Sequence, residues 1–163
     1  MKKLYIDFDG VIMTTNKNID ELILNNKLHL KTQDEIMKFI QNIQWENLLE
    51  SSDEISDAFT HLQTLNNSDD FSVSILTHVC SIQEAEAKKK LLSKKVGNIE
   101  VIPVPKTQEK CHFVDPTNAI LVDDYTKNLE LWEQHGGIGI KFTDKEHTKF
   151  KATYNLKDLF DIL

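Results

Sequence analysis

The sequence has no long basic run, no apolar stretch longer than a strand, no internal repeat and no low-complexity tract. Each absence excludes something. With no long basic run and a formal net charge of −7, a large nucleic-acid footprint is not expected, although a local basic pocket can still hold one phosphate. With only strand-sized apolar runs, neither a membrane span nor a signal peptide is expected. Cysteine is scarce too. Cys80 and Cys111 lie far apart, without C-x-x-C spacing, and read as two reduced thiols of a cytoplasmic protein. The six histidines fall in no ligand spacing such as H-x-x-x-H. What remains is ordinary for a globular chain. Its 163 residues, 40% hydrophobic and 28% charged, suit one domain with a small insertion.

Five short segments read as strands, being rich in β-branched or aromatic residues: 3–8 (KLYIDF), 71–77 (FSVSILT), 99–104 (IEVIPV), 119–123 (AILVD) and 138–142 (IGIKF). The stretch between the first two has helical periodicity. Thr32 and Glu35 have capping-box spacing before Ile36, Phe39, Ile40 and Ile43. Ser51 and Glu54 repeat it before Ile55, Phe59, Leu62 and Leu65, and Ser81 and Glu84 repeat it before a helix reaching about Lys95. In that last helix the lysines at 88–90 and 94–95 read as a solvated face. Gly136 and Gly137 read as a helix stop and turn, and NLKDLFDIL as a closing amphipathic helix. Strands alternating with helices predict an α/β domain with a mainly parallel five-stranded sheet. Residues 14–66 are too long for a simple crossover. They read as a small helical insert, its later part able to supply the crossover helix, in a core made of 1–13 and 67–163.

In open parallel sheets ligands bind at the carboxyl ends of the strands, and those ends carry chemistry here. The first leads into Asp7 and Asp9, one residue apart and followed by Gly10. Side chains in a strand repeat every second residue, so the two carboxylates share a face, where like charges need a cation, a shared proton or generous hydrogen bonding. The second strand ends in Thr77 and the fourth in Asp123 and Asp124. Between the third and fourth, VPKTQEK supplies Lys106 and Lys110. Carboxylate oxygens with backbone carbonyls make a hard-cation site that suits magnesium, and a cation beside a lysine would let an anionic carboxylate approach a phosphoryl group. An aspartate can then attack phosphorus while a second carboxylate serves the leaving oxygen and the water.

Asp-x-Asp-Gly-Val at 7–11, SILT ending at Thr77, a downstream lysine and ILVDD at 120–124 resemble, in order and spacing, the four motifs of the haloacid dehalogenase (HAD) superfamily. The run ILVDDYTKNLELWEQHGGIGIKF further resembles members near the 5'(3')-deoxyribonucleotidases. The resemblance covers 1–12 and about 71–142, with 14–66 matching a small cap in position and size. It implies a three-layer Rossmann-like core and a magnesium-dependent phosphatase acting on a small phosphorylated metabolite, a nucleoside (deoxy)monophosphate foremost. Asp7 would be the nucleophile and Asp9 the acid/base, its backbone carbonyl also on the metal. Thr77 would bind the phosphoryl oxygens, helped by the backbone N–H beside it at His78, and Asp123 and Asp124 would complete the metal site. The Pro-x4-Lys pattern before a helix favours Lys110 as the third-motif lysine, with Lys106 left open.

Singly, each motif has a plainer reading: a turn signal for either aspartate pair, a β-former for Thr77, surface charge for the lysines. Their joint placement at strand ends favours function. In the insert, Phe39 and Phe59 follow the apolar periodicity of their own helices and read as core. Trp45 breaks the pattern and is the best candidate to stack on a nucleobase. Other readings are a HAD phosphotransferase, a polynucleotide 3'-phosphatase, or a non-catalytic module that binds phosphate or protein. A phosphorelay receiver is excluded, because IEVIPV, the middle strand, carries no aspartate at its end.

Overall fold

β1 (Lys2–Ile6) lies at the centre of a sheet of six strands in the computed structural model, which describes residues 1–26, 28–145 and 148–163. Helices α1 (Thr15–Asn25), α2 (Gln33–Gln41), α3 (Trp45–Ser51) and α4 (Ala58–Asn66) follow it. Then come β2 (Phe71–Val79), α5 (Ile82–Lys95), β3 (Glu100–Pro105), β4 (Ile120–Asp123), α6 (Thr126–Gln134), β5 (Ile138–Phe142), β6 (Lys151–Thr153) and α7 (Leu159–Ile162). The strand order is β3-β2-β1-β4-β5-β6 and every ladder is parallel.

Six strands stand where five are expected. The additional one, β6, is three residues, Lys-Ala-Thr, paired to β5 from Ile140↔Lys151 to Phe142↔Thr153. It has neither apolar run nor alternation to announce it, and pairing with β5 makes it a strand.

The alternation of β1 divides the core in two. Leu4 and Ile6 pack with Val73, Ile75, Ile120 and Val122 against Leu48 and Leu49 of α3, Leu62 and Leu65 of α4, and Leu92 of α5. Tyr5 points the other way, among Leu76, Leu121, Leu129 and Trp132, its ring edge-on to Trp132 at 5.4 Å. A parallel sheet covered on both faces gives the three layers, and such burial calls for the apolar strands seen here.

Local signals explain some of the boundaries. Thr32 and Glu35 form a full capping box on α2, and Ser81 accepts from the Glu84 N–H at the start of α5. Gly136 adopts φ +83° just past α6, and a side chain at Gly137 would strike the Trp132 indole at 2.3 Å. The Ser51/Glu54 spacing misleads. Ser51 ends α3 instead of opening a helix, and α4 begins at Ala58. Residues 53–55 are held alongside 12–14 instead, because Ile55 N–H donates to Ile12 O (2.9 Å), Thr14 N–H donates to Asp53 O (2.9 Å), and Met13 pairs antiparallel with Glu54. Glu54 instead accepts from the Phe59 N–H at 2.7 Å.

Among the described residues no helix is long and apolar enough to cross a membrane.

Candidate active site

The strand order places the reversal of chain direction between β1 and β4. The chain runs outward from β1 through β2 to β3, returns to β4 on the other flank, and continues outward. The carboxyl ends of β1 and β4 diverge there, which is where open α/β sheets bind ligands. Asp7 follows β1, Asp123 ends β4, and Asp124 comes next.

Asp7 and Asp9 face different cations. Asp7, buried, has Oδ1 2.8 Å from Lys110 Nζ, and the same ammonium lies 2.7 Å from Asp123 Oδ2. Lys110, on a 3-10 turn (Lys110–His112), is itself buried, so one cation is shared between two buried carboxylates. This settles which lysine enters the cluster. Lys106 is exposed on the loop after β3, with its backbone N–H bonded to Val79 O. The other bonds to Asp123 come from Asn128 Nδ2 to Oδ2 (2.8 Å) and from the Tyr125 N–H to Oδ1 (2.7 Å), so both its oxygens are engaged.

Asp124 is half-buried, and no hydrogen bond to its carboxylate is found among the described residues. Gly10, at φ +79°, gives it room. A Cβ built at Gly10 would lie 2.2 Å from Asp124 Oδ2. Gly10→Ala is therefore expected to lose roughly 1–2 kcal/mol from the left-handed backbone alone and to push the Asp124 carboxylate aside. Denaturant unfolding checks the first effect, and a smaller magnesium-induced rise in Tm checks the second.

Asp9 belongs to a second cluster that the sequence did not reveal. Its Oδ2 lies 2.6 Å from Lys88 Nζ, and its Oδ1 accepts from Thr15 Oγ1 at 2.5 Å. Lys88 is fully buried, pairs with Glu84 Oε1 at 2.7 Å, and donates to Thr77 Oγ1 and His78 O, each at 3.2 Å. Lys88 is therefore not part of the solvated lysine face, although Lys89, Lys90, Lys94 and Lys95 are exposed. Thr77, fully buried, is drawn into this cluster, its hydroxyl 3.5 Å from Asp9 Oδ2. The His78 ring turns away, Nε2–H donating to Gln108 O at 2.9 Å.

The electrostatics follow from these contacts. Burial pushes the Asp7 carboxyl up to about 7. Lys110 opposes the rise, while Asp123 and Asp9 add to it. Burial, with repulsion from Asp123, pushes Asp124 up to about 6 against the pull of Lys141. Burial alone would also raise Asp9, but the Lys88 ion pair and hydrogen bond, with Thr15, hold it below the usual carboxylate range. Burial alone would lower Lys88, and Asp9 and Glu84 more than reverse this. Asp7 and Asp124 thus sit in a site where negative charge is undercompensated, while Asp9 is compensated.

That imbalance tests the site for a cation. Asp7, Asp123 and Asp124 each bring an oxygen within 4.8 Å of the others. The donor set is all oxygen, two of its three carboxylates are buried, and the one buried ammonium there cannot neutralise all three. It fits a hard divalent ion such as magnesium. The chain contains no arginine, all 19 of its basic residues being lysines. A phosphoryl group here would meet point charges, not a planar fork.

Trp45 does not face this site. It is buried, its Nε1–H donates to Ile40 O at 3.2 Å, and its ring lies under Lys88 Nζ at 5.5 Å. The stacking expectation fails, because the indole fills core between the insert and α5. Phe59 is buried and Phe39 packs against the same core, as their periodicity implies. A groove of about 450 Å³ does open beside Asp124, lined among others by Gly10, Lys141, Lys145 and Tyr154.

No protein-family model and no curated protein matches the chain. Solved structures do match over nearly its whole length. A HAD phosphatase from Thermococcus onnurineus is 16% identical over 99% of this chain and 97% of its own, at TM-score 0.65. A HAD-hydrolase from Bacillus subtilis, bound to magnesium, is 13% identical over the same shares, at 0.68. A D,D-heptose 1,7-bisphosphate phosphatase from B. bronchiseptica, complexed with magnesium and phosphate, is 11% identical over the same shares, at 0.58. Identities this low carry the likeness as far as the fold, and a fold does not by itself fix an activity. The three-layer α/β architecture of this chain, with its parallel sheet, is the fold of HAD-superfamily hydrolases.

Proposed function

We propose that the protein is a magnesium-dependent phosphomonoester hydrolase working through an aspartyl-phosphate. The observation that carries this reading is the Asp7–Lys110–Asp123 bridge beside Asp124, at the point where strand order reverses. Asp7, Asp124 and the Asp9 backbone carbonyl would hold the ion, with Asp123 ligating directly or through water. When bound, magnesium supplies positive charge to the phosphoryl oxygens and to the carboxylates around them.

Each residue then has a task its position allows. Asp7 Oδ2, the oxygen not on Lys110, attacks phosphorus as the bond to the leaving oxygen breaks. Lys110 keeps Asp7 aimed and offsets charge on the phosphoryl group. Asp9 gives the leaving oxygen its proton, then takes one from the water that cleaves the acyl phosphate, releasing inorganic phosphate and restoring Asp7. Held ionised by Lys88, Asp9 is ready for the second half-reaction. For the first it must take up a proton against the hold of Lys88, whose ammonium lies 2.6 Å away. Thr77 and the backbone N–H of His78 bind phosphoryl oxygens once Lys88 yields the threonine hydroxyl.

Residues 14–66 act as a small cap, with α4 also packing on β2 as the crossover. The leaving group occupies the groove beside Asp124, where Lys141 and Lys145 favour an anionic or polar moiety and Tyr154 offers a ring. Nucleoside (deoxy)monophosphates are the first substrates to test, on the strength of the ILVDDYTKNLELWEQHGGIGIKF run.

Phosphate release from nucleoside monophosphates and sugar phosphates, with magnesium and with chelator, tests the reading. Release confined to nucleotides supports the whole proposal. Release from other phosphomonoesters keeps the mechanism and discards the nucleotide. A folded, magnesium-binding protein that releases phosphate from none of them discards the hydrolase.

A further inference from the structure

A second group of metal-ligating side chains begins with the residues that follow Lys110 in the chain. Cys111 and His112 are the next two residues of the 3-10 turn that carries Lys110, and His135 follows α6 directly. The three bring one ligand atom each to within 4.8 Å of one another. The two imidazoles meet edge to face, with centroids 5.8 Å apart. Unstacked rings can each turn a nitrogen toward the sulfur.

His135 is set for this. Its Nδ1 lies 2.8 Å from the Leu131 carbonyl oxygen, which can only accept, so Nδ1 carries the proton. The lone pair is then on Nε2. A ligating histidine whose other ring nitrogen donates to a backbone carbonyl is the usual outer-shell arrangement of a metal site, because it fixes both tautomer and ring orientation. Cys111 is buried among Leu129 and Trp132, so its sulfur is held in place, whereas His112 and His135 are exposed. In a tetrahedral zinc site with ordinary bond lengths, ligand atoms stand roughly 3.3–3.6 Å apart. The present atoms, all within 4.8 Å of one another, draw in toward that spacing when an ion binds.

We propose that Cys111, His112 and His135 form a binding site for a borderline-soft divalent ion, zinc foremost, with its fourth position open to water. One thiolate and two imidazoles select such an ion against magnesium, which the carboxylate cluster suits. Burial raises the Cys111 thiol above its ordinary value, so binding is accompanied by release of the thiol proton. The site stands whether or not Asp7 is a nucleophile.

Cobalt(II) is the probe. Reduced, metal-stripped, tag-free full-length protein is titrated with cobalt and followed by absorption. The expected result is a thiolate-to-cobalt charge-transfer band with tetrahedral-type visible bands, saturating at one equivalent and abolished by one equivalent of zinc. Cys111→Ser should lose the charge-transfer band and Cys80→Ser should keep it. His112→Ala and His135→Ala, both at exposed positions and checked for fold by circular dichroism, should each weaken cobalt binding at least about 10-fold. Absence of the band in the native protein overturns the proposal. So does a band lost in Cys80→Ser, or binding unchanged in both histidine variants. If Cys111→Ser does not fold, the histidine variants decide.

Discussion

Asp7→Asn is expected to lower phosphate release by at least about 10⁴-fold, because it removes the attacking atom, and in chelator to melt above the wild type. The second effect comes from the crowding that makes the site suit a cation. Asp7, Asp123 and Asp124 share a pocket with one buried ammonium, and burial pushes the Asp7 carboxyl from 3.8 up to about 7. The fold therefore prefers the protonated form. The stability this group contributes is complete below pH 3.8 and is lost as pH rises through about 7. An amide cannot ionise and escapes that loss, while its carbonyl can still accept from Lys110. The gap in Tm should open across that same window. Magnesium should close it, since a bound ion stabilises the tri-carboxylate protein more than the variant. Thermal melts with chelator and with magnesium, beside phosphate release, check all three. Undiminished hydrolysis in the folded variant would move the nucleophile elsewhere, and a variant less stable than wild type in chelator would show that the carboxylates are not in conflict.

Lys88→Met should be the most destabilising single change near the site. It leaves Glu84 and Asp9 without the ammonium that pairs both, and breaking a buried ion cluster by removing one member costs about 3–5 kcal/mol. Adding Glu84→Met should recover much of this, since replacing buried ions by apolar groups of similar size is often neutral. Asp9 would then keep Thr15 and its partial exposure to solvent. Activity should respond differently. Without Lys88 the Asp9 carboxyl rises from its depressed position, so the limb of the pH–rate profile that reports Asp9 should move to higher pH in the double variant. Urea unfolding separates the stability terms and a pH profile of kcat/KM reads the shift. A single variant as stable as wild type, or a double variant with an unmoved profile, would mean that Lys88 neither supports the fold nor tunes Asp9.

Much of the sheet was legible because its strands are buried on both faces and read as short apolar runs, and the candidate site was legible because its parts sit at the ends of those runs. Lys88 was hidden by its neighbours. In Lys-Lys-Lys at 88–90 composition suggests solvent, yet Glu84, Ala87, Lys88, Leu91 and Leu92 follow the spacing of one helical stripe, and all but Leu91 on it are buried. A lysine within such a stripe, four residues after a glutamate, was the available signal. Ser51 failed for a different reason. Its local spacing matches a capping box, but backbone bonds from Ile12 and Thr14 to the chain 39 or more residues later hold it alongside them, and tertiary pairing outweighs a cap of about 1 kcal/mol. Trp45 broke the apolar pattern of the preceding helix because it belongs to the next one, α3, where it is buried with Leu48 and Leu49 at helical spacing.

The short antiparallel join of Met13 to Glu54 has a consequence for how the chain reaches its native state. β1 is the central strand, so it must find β2, paired from Lys2↔Phe71, and β4, paired from Leu4↔Ile120. Parallel pairing between such distant segments is slow, because loop entropy is lost before any contact repays it. Once residues 12–14 lie against 53–55, three helices, α1 to α3, are gathered into a closed branch, and the loop separating β1 from β2 shrinks to the arm that holds α4. This favours an order in which the join forms early, β1 docks on β2 next, and β4 completes the centre last, bringing Asp123 and Asp124 to Asp7 only when the rest of the sheet is in place.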